Sequence, residues 1–170
     1  MIRLRLSASK ALWSWLLAKV MRSPFMISHV DIVLPSGELL GAHIVPGVDG
    51  MGRLVKSGVA IRDPDYGDPT FTLDVTYDAD EETTAVFYQY AESLCGVPFD
   101  WTGLFYFIFP PWSRRDWTKS KGFFCSELVM YLFREVGVKG FNEWVDVQCI
   151  TPRDLLLPEA ARWKLCGPVS

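Results

Sequence analysis

Cys125 is the residue of this chain whose type and position most directly suggest chemistry. It lies in the segment FFCSELVMYLFREVG, residues 123–137, which predicts an amphipathic helix ended by Gly137. Apolar residues recur there at spacings of three and four: Leu128, Val129, Leu132, Phe133 and Val136. Glu127, Arg134 and Glu135 fall mostly on the other side. Free N–H groups and the helix dipole stabilise a thiolate in the first turn, so Cys125 is a candidate nucleophile. The alternative is a small buried residue at a helix start.

The chain has only two histidines, His29 and His43, and a predicted β-hairpin brings them together. Residues 25–45 alternate in the manner of strands around Pro35-Ser36-Gly37, which suits a type I turn followed by a left-handed glycine. This turn sets the register, with His29 opposite His43 and Asp31 opposite Gly41. One face is then apolar, while His29, Asp31 and His43 share the other. The alternative is two exposed strand histidines without a function.

These residues together predict nucleophilic catalysis by cysteine. His29 is the expected base, and His43, or with less support Asp31, would hold its second ring nitrogen. The backbone N–H of Cys125 would serve as an oxyanion donor, and the substrate would be an amide, ester or thioester. A competing interpretation is a zinc site made by His29, His43 and Cys125 with Asp31 nearby.

Composition limits the class of protein. The 170 residues are 49% hydrophobic and 22% charged, as expected for one globular domain with a sizeable core. A net charge of -3 argues against nucleic acid as a partner. The four cysteines form no C-x-x-C pair and need not form disulfides. No apolar run reaches the length of a membrane span.

The N-terminal residues are interpreted as an extension of the domain. An amphipathic helix is predicted from about Ser9 to Met21, with Ser7 or Ser9 as its N-cap. The domains are therefore an N-terminal amphipathic helix at 1–24 and a main domain at 25–170. The helix carries an excess of positive charge and could contact a membrane surface, although docking on the domain is favoured. No cleavable signal peptide is expected, because Lys19 and Arg22 interrupt the apolar run.

The remaining elements are predicted more coarsely. Residues 46–58 are glycine-rich and read as a loop near the open end of the hairpin, residues 59–62 and 70–76 as strands, and residues 78–94 as a helix. In the aromatic stretch that follows, we expect residues 104–109 to be buried and residues 112–117 to line the site. Residues 144–149 suggest a last strand, and Thr151 and Pro152 begin a short helix.

Five motifs give the chain a family resemblance: SHVDIVL, LLGAH, GVPFDW, FFCSELV and ITPRDLL. Together they resemble the circularly permuted NlpC-type, papain-like cysteine hydrolases, whose relatives include lecithin–retinol acyltransferase-like proteins. The resemblance covers residues 28–156 and matches Cys125 to the nucleophile and His29 to the strand histidine. His43 matches the third polar position, where bacterial members often have Glu and acyltransferase relatives have His. Asp31 and Asp100 are the supporting candidates.

The resemblance also implies a fold and a function. The implied fold is α+β, with the nucleophile helix packed on an antiparallel sheet in permuted papain-like topology, and no cofactor is implied. The expected activity is that of a phage-encoded peptidoglycan endopeptidase or amidase, located in the virion or the host cytoplasm. Its partners would be peptidoglycan, or another acyl or amide substrate, and virion proteins. The alternatives are a lipid acyl-hydrolase or acyltransferase, which the basic helix and aromatic segment favour, and a non-catalytic virion component.

Overall fold

The computed structural model describes residues 1–10, 14–15, 18–19, 26–102, 122–138, 150–156 and, by backbone alone, 161–165. Within these residues the fold is α+β, with an antiparallel sheet of eight strands in the order β5-β4-β6-β3-β2-β1-β7-β8. The strands are β1 (Ile2–Ser9), β2 (His29–Val33), β3 (Leu39–His43), β4 (Gly47–Val48), β5 (Leu54–Val55), β6 (Gly58–Arg62), β7 (Pro69–Tyr77) and β8 (Ala161–Leu165). The helices are α1 (Glu81–Ser93), α2 (Cys125–Glu135) and a short 3-10 helix, Asp154–Leu156.

Strand β1 corrects the prediction that residues 1–24 form a helical extension. Ile2, Leu4 and Leu6 are buried on one face, and Arg3 and Arg5 alternate with them, which is a strand period of two. β1 lies between β2 and β7, inside the sheet. Residues 2–9 are therefore part of the sheet of the main domain.

The expected N-cap Ser7 is also in this strand, because it pairs with His29 of β2. Residues 14–15 and 18–19 do have helical backbone, as predicted for this part of the chain. The other residues from 11 to 25 lie outside the described residues. The prediction was wrong at residues 1–8 because it treats the basic and apolar residues of the N-terminus as one helical segment. Their two-residue alternation, which begins at Ile2, is typical of a strand.

The β2–β3 hairpin confirms the predicted turn and register. Ile32 pairs with Leu40, and Val33 pairs with Leu39. The backbone N–H of Leu34 donates to the Glu38 carbonyl at 2.9 Å, closing the turn. Gly37 has a φ of 94°, the left-handed conformation that the sequence assigned to it.

Residues 46–58, predicted as a loop, contain the two-stranded hairpin of β4 and β5. Val48 of β4 also pairs with Ile61, which joins the hairpin to β6. Asp49 closes its turn by accepting hydrogen bonds from the backbone N–H groups of Met51 and Arg53, both at 2.9 Å. Strands of two residues are too short to show an alternating pattern, so the spacing of apolar residues does not predict them.

Helix α2 begins at Cys125, as predicted, and packs on β2 and β3. Its apolar side chains pack against the buried face of the sheet in one core. The α2 residues in this core are Leu128, Val129, Met130, Leu132 and Phe133. The expected exposure of Glu127 is wrong. Glu127 is 1% exposed, and its carboxylate accepts the backbone N–H of Phe124 at 3.3 Å. It thereby caps the N-terminus of the helix.

A strap formed by residues 96–100 fixes the start of α2 against the sheet. At one end the backbone N–H of Val59 donates to the Val97 carbonyl at 2.9 Å. At the other, the N–H of Phe123 donates to the Pro98 carbonyl at 3.2 Å. Gly58 and Gly122 permit this close passage, because a Cβ at either position would overlap a strap carbonyl. The strap therefore sets where Cys125 lies relative to β6 and β3.

The remaining expectations have mixed outcomes. β6, β7 and α1 lie where strands and a helix were predicted, and α1 is capped by Asp80, which accepts the N–H of Thr83 at 2.7 Å. The predicted helix after Thr151 is the short 3-10 helix. Residues 104–109, 112–117 and 144–149, for which burial, site lining and a strand were predicted, lie outside the described residues. Among those described, no helix is long and apolar enough to cross a membrane.

Candidate active site

His29 is the centre of a group of polar side chains at the start of β2. Its Nε2 lies 3.0 Å from Oδ1 of Asp31 and 2.9 Å from the hydroxyl of Tyr66. Residues two apart in a strand point to the same face, so β2 itself brings His29 and Asp31 together. Burial alone would lower the pKa of His29. The charges of Asp31 and Cys125 and hydrogen bonds to both raise this pKa to about 10.

Cys125 is the second neighbour of His29. It occupies the first position of α2, and its charge and a side-chain hydrogen bond contribute to the raised pKa of His29. Because Nε2 is engaged by Asp31 and Tyr66, Nδ1 is the ring nitrogen left for the thiol. The structure thus brings together three of the predicted residues in the order Asp31, His29 and Cys125.

Asp31, and not His43, contacts the second nitrogen of His29. Burial alone would raise the pKa of Asp31, but the charge of His29 and the hydrogen bonds from His29 and Tyr66 hold that pKa below its usual value. From the sequence, His43 was favoured over Asp31 for contact with the second ring nitrogen of His29. The structure reverses the preference, because the side chain of Asp31 reaches back along its own strand to the ring.

Gly41 makes room for this carboxylate on the neighbouring strand. A Cβ at Gly41 would overlap Oδ1 of Asp31 and lie 3.1 Å from its Cγ. The Asp31 side chain therefore lies across β3 at the one position of that strand that has no side chain. The sequence placed Gly41 opposite Asp31 but did not reveal this function.

Tyr66 is a site residue that the sequence analysis missed. Its hydroxyl donates to Oδ2 of Asp31 at 2.7 Å, so the carboxylate is held by both Tyr66 and His29. Burial and the charge of Asp31 raise the pKa of Tyr66 well above its usual value, which keeps this donor protonated. The guanidinium of Arg62 lies 5.4 Å from the centre of the Tyr66 ring. Tyr66 comes from the turn-rich segment DPDYGDP, where nothing in the local spacing indicated contact with β2.

His43 lies against His29 without forming a hydrogen bond to it. The two rings meet edge to face, with their centres 4.6 Å apart. Nδ1 of His43 accepts the backbone N–H of Val45 at 2.8 Å. Burial, followed by the charge of His29, lowers the pKa of His43 to about 3, so this ring is neutral.

Buried Arg62 holds the end of β3 in place near His43. Its guanidinium donates to four backbone carbonyls, those of Gly41, Val45, Gly58 and Ala60, at 2.8–3.1 Å. Asp100, the other supporting candidate, lies in the strap and is buried. Its backbone N–H donates to the Phe123 carbonyl at 3.0 Å, so it is joined to the chain just before Cys125.

The zinc interpretation finds no support in the described part of the chain, where no three His, Cys, Asp or Glu side chains are grouped to hold a metal ion. In comparisons with known proteins, no family model and no curated protein matched the sequence.

Acidification between about pH 6.5 and pH 3 is expected to destabilise the fold through His43. The unfolded chain protonates this residue at its ordinary pKa of 6.5, whereas the folded protein does so only at about 3. The unfolded state therefore binds more protons in this window, and stability falls with falling pH by at most ~1.4 kcal/mol per pH unit. Urea unfolding of the wild type and His43→Gln across this window measures the effect. Carboxylates contribute to both curves, so parallel curves for the two proteins would contradict the prediction.

Proposed function

We propose that this protein is a cysteine hydrolase of the circularly permuted NlpC-type, papain-like class, which cleaves amide bonds through an acyl-enzyme. The observation that carries the proposal is the row formed by Cys125, His29 and Asp31, with the cysteine at the first position of a helix. A nucleophile, a base and a group that orients the base are the three parts that such chemistry needs. The histidine strands precede the cysteine helix in the chain, which agrees with a permuted order.

The reaction follows from the pairing of charges. The Sγ thiolate of Cys125 attacks the substrate carbonyl carbon, forming an S–C bond while the π electrons move to oxygen. When this intermediate collapses, the C–N bond breaks and the imidazolium of His29 gives its proton to the leaving nitrogen. Water, deprotonated by His29, then attacks the thioester and releases the acid and the thiolate. Asp31 stays ionised and orients His29 throughout.

The proposed substrate is bacterial peptidoglycan, and the proposed source is a phage. The support for both is the resemblance of the motifs, in particular FFCSELV and SHVDIVL. The site itself supports acyl transfer from a carbonyl and is equally suited to an amide or an ester. The substrate therefore has to be decided by assay.

The test compares the purified wild type with Cys125→Ala on purified peptidoglycan. We expect release of soluble muropeptides by the wild type and none by the variant, since alanine lacks the thiol that attacks the carbonyl. Cys95→Ala is the matched control. The Cys95 thiol is also half-buried and free, but burial raises its pKa to about 11 and it should not be needed. Activity that survives Cys125→Ala would refute the proposal.

A second candidate is acyl hydrolysis or transfer on a lipid. The β4–β5 hairpin favours it, because Met51 is 74% exposed and Leu54 is 70% exposed at its tip. Lys56, also exposed, is two residues after Leu54, whereas the guanidinium of Arg53 is paired with Asp49 at 2.7 Å. Apolar tips beside cations suit the surface of an anionic membrane. Cys125-dependent release of fatty acid from phospholipid vesicles, with no muropeptide release, would replace the amidase proposal by this one.

A further inference from the structure

His43 carries one N–H group for which the described residues supply no acceptor. The backbone N–H of Val45 can only donate, so Nδ1 of His43, which lies 2.8 Å from it, must be an unprotonated acceptor. In a neutral imidazole the proton is then on Nε2. Within the described part of the chain, no group accepts a hydrogen bond from this Nε2–H. This donor is therefore available to a ligand in the site.

His43 has no nitrogen of His29 left to orient. Nε2 of His29 is shared between Asp31 and Tyr66, which leaves Nδ1 for Cys125. The contact between the two rings is edge to face, which holds His43 in place without hydrogen bonding it to His29. The role that the third polar position was expected to have is therefore filled by Asp31.

The N–H of His43 is close to where the reaction would take place. His43 and Cys125 are both neighbours of the same imidazole, that of His29. His43 also pairs with Gly58, and the strap joins the next residue, Val59, to Phe123, two residues before Cys125. The side chain is held by Val45, whose carbonyl is in turn held by Arg62 at 2.8–3.0 Å. The donor is thus preorganised on a strand end and is not on a free side chain.

We propose that His43 is a catalytic residue that donates its Nε2–H to the carbonyl oxygen of the substrate, forming an oxyanion hole with the backbone N–H of Cys125. The inference rests on the proposed function. Cys125 is the first residue of α2, so its N–H has no acceptor within the helix. Two such donors are a common arrangement for acyl transfer. The low pKa of His43 keeps it a neutral donor beside the His29 cation.

The assigned step transfers no proton through His43. As the bond between Sγ and the carbonyl carbon forms, the π electrons become a lone pair on oxygen, and the two N–H groups strengthen their hydrogen bonds to this anion. When the oxygen returns its electrons, the bond to the leaving group breaks, and His29 protonates a leaving amine. His43 begins and ends the cycle as the same neutral tautomer.

Two reactions of Cys125 distinguish whether His43 donates to the oxyanion or only orients His29. Alkylation by iodoacetamide needs the thiolate but proceeds at a saturated carbon and forms no oxyanion. Acylation by p-nitrophenyl acetate needs both the thiolate and the oxyanion. The measurements are the rate of carbamidomethylation of Cys125 by mass spectrometry and the burst of nitrophenolate, corrected with Cys125→Ser.

For His43→Ala we expect acylation to fall about 10²- to 10³-fold, while alkylation stays within about twofold of wild type. His43→Gln keeps an N–H donor and should recover part of the acylation rate, and circular dichroism confirms that each variant is folded. Equal losses in both reactions would show that His43 orients or supports His29 and would overturn the inference. Unchanged acylation would overturn it too. If wild-type Cys125 is alkylated no faster than Cys95, the proposed function itself fails.

Discussion

Replacing His29 with alanine is expected to lower the rate of acyl-enzyme formation by roughly 10⁴-fold or more, the effect of losing the base of a nucleophile–base pair. His29 contacts both Asp31 and Cys125, so its loss separates the carboxylate from the thiol. Alkylation of Cys125 near neutral pH should slow by about tenfold or more, because the thiolate loses its cation. The p-nitrophenyl acetate burst and iodoacetamide labelling measure the two effects.

The same residue determines the alkaline limit of activity in the wild type. Because the pKa of His29 is raised to about 10, the imidazolium persists through neutral pH and is lost as the pH rises through that value. Amide cleavage needs this proton for the leaving nitrogen, so the rate should decline only near pH 10. Glu82→Ala on the exposed side of α1 is the control and should behave as wild type. An alkaline limit near the ordinary histidine value would contradict the ion pair.

Asp31→Asn is expected to lower the rate of acyl-enzyme formation by roughly 10²- to 10⁴-fold while preserving the shape of the side chain. Asparagine can present an amide N–H to Nε2 of His29, which would favour the wrong tautomer, and it lacks the charge that raises the His29 pKa. The alkaline limit of activity should therefore move to lower pH. Rate against pH for the two proteins checks both effects. An unchanged profile would show that Asp31 does not orient His29.

Gly41→Ala tests the same carboxylate without altering its chemistry. The added Cβ would overlap Oδ1 of Asp31, so the carboxylate must move away from His29, and the rate should change in the direction seen for Asp31→Asn. Gly50→Ala is a matched control, since a Cβ at Gly50 meets nothing within 4 Å and should leave activity unchanged. Full activity of Gly41→Ala would mean that Asp31 can reach His29 from another position.

Local sequence rules account for the parts of the site that lie close together in the chain. The turn at Pro35-Ser36-Gly37 and the two-residue period set the β2–β3 register. This register places His29 opposite His43 from neighbouring residues alone, and the two rings are in contact in the structure. The three- and four-residue period of α2 likewise places Cys125 at a helix start. Both results hold because a turn and a helix are determined mainly by neighbouring residues.

Local sequence rules could not decide whether Asp31 or His43 contacts the second ring nitrogen of His29. Both side chains are on the correct face, and only the three-dimensional distances show that Asp31 reaches Nε2 while Val45 engages His43. Tyr66 joins the same carboxylate from 35 residues further along the chain. A contact across that separation depends on how β6 and β7 are placed, and single-sequence periodicity carries no information about it.

The N-terminus shows the same limit in the fold. The alternation of Ile2, Leu4 and Leu6 allows a strand, but its place between β2 and β7 depends on pairing with strands that are distant in the chain. By itself, then, the sequence determined a cysteine at the start of a helix and two histidines facing each other on a hairpin. Only the tertiary structure decided that Asp31 and Tyr66 hold His29 and that the Nε2–H of His43 has no acceptor among the described residues, because those outcomes depend on the positions of side chains in three dimensions.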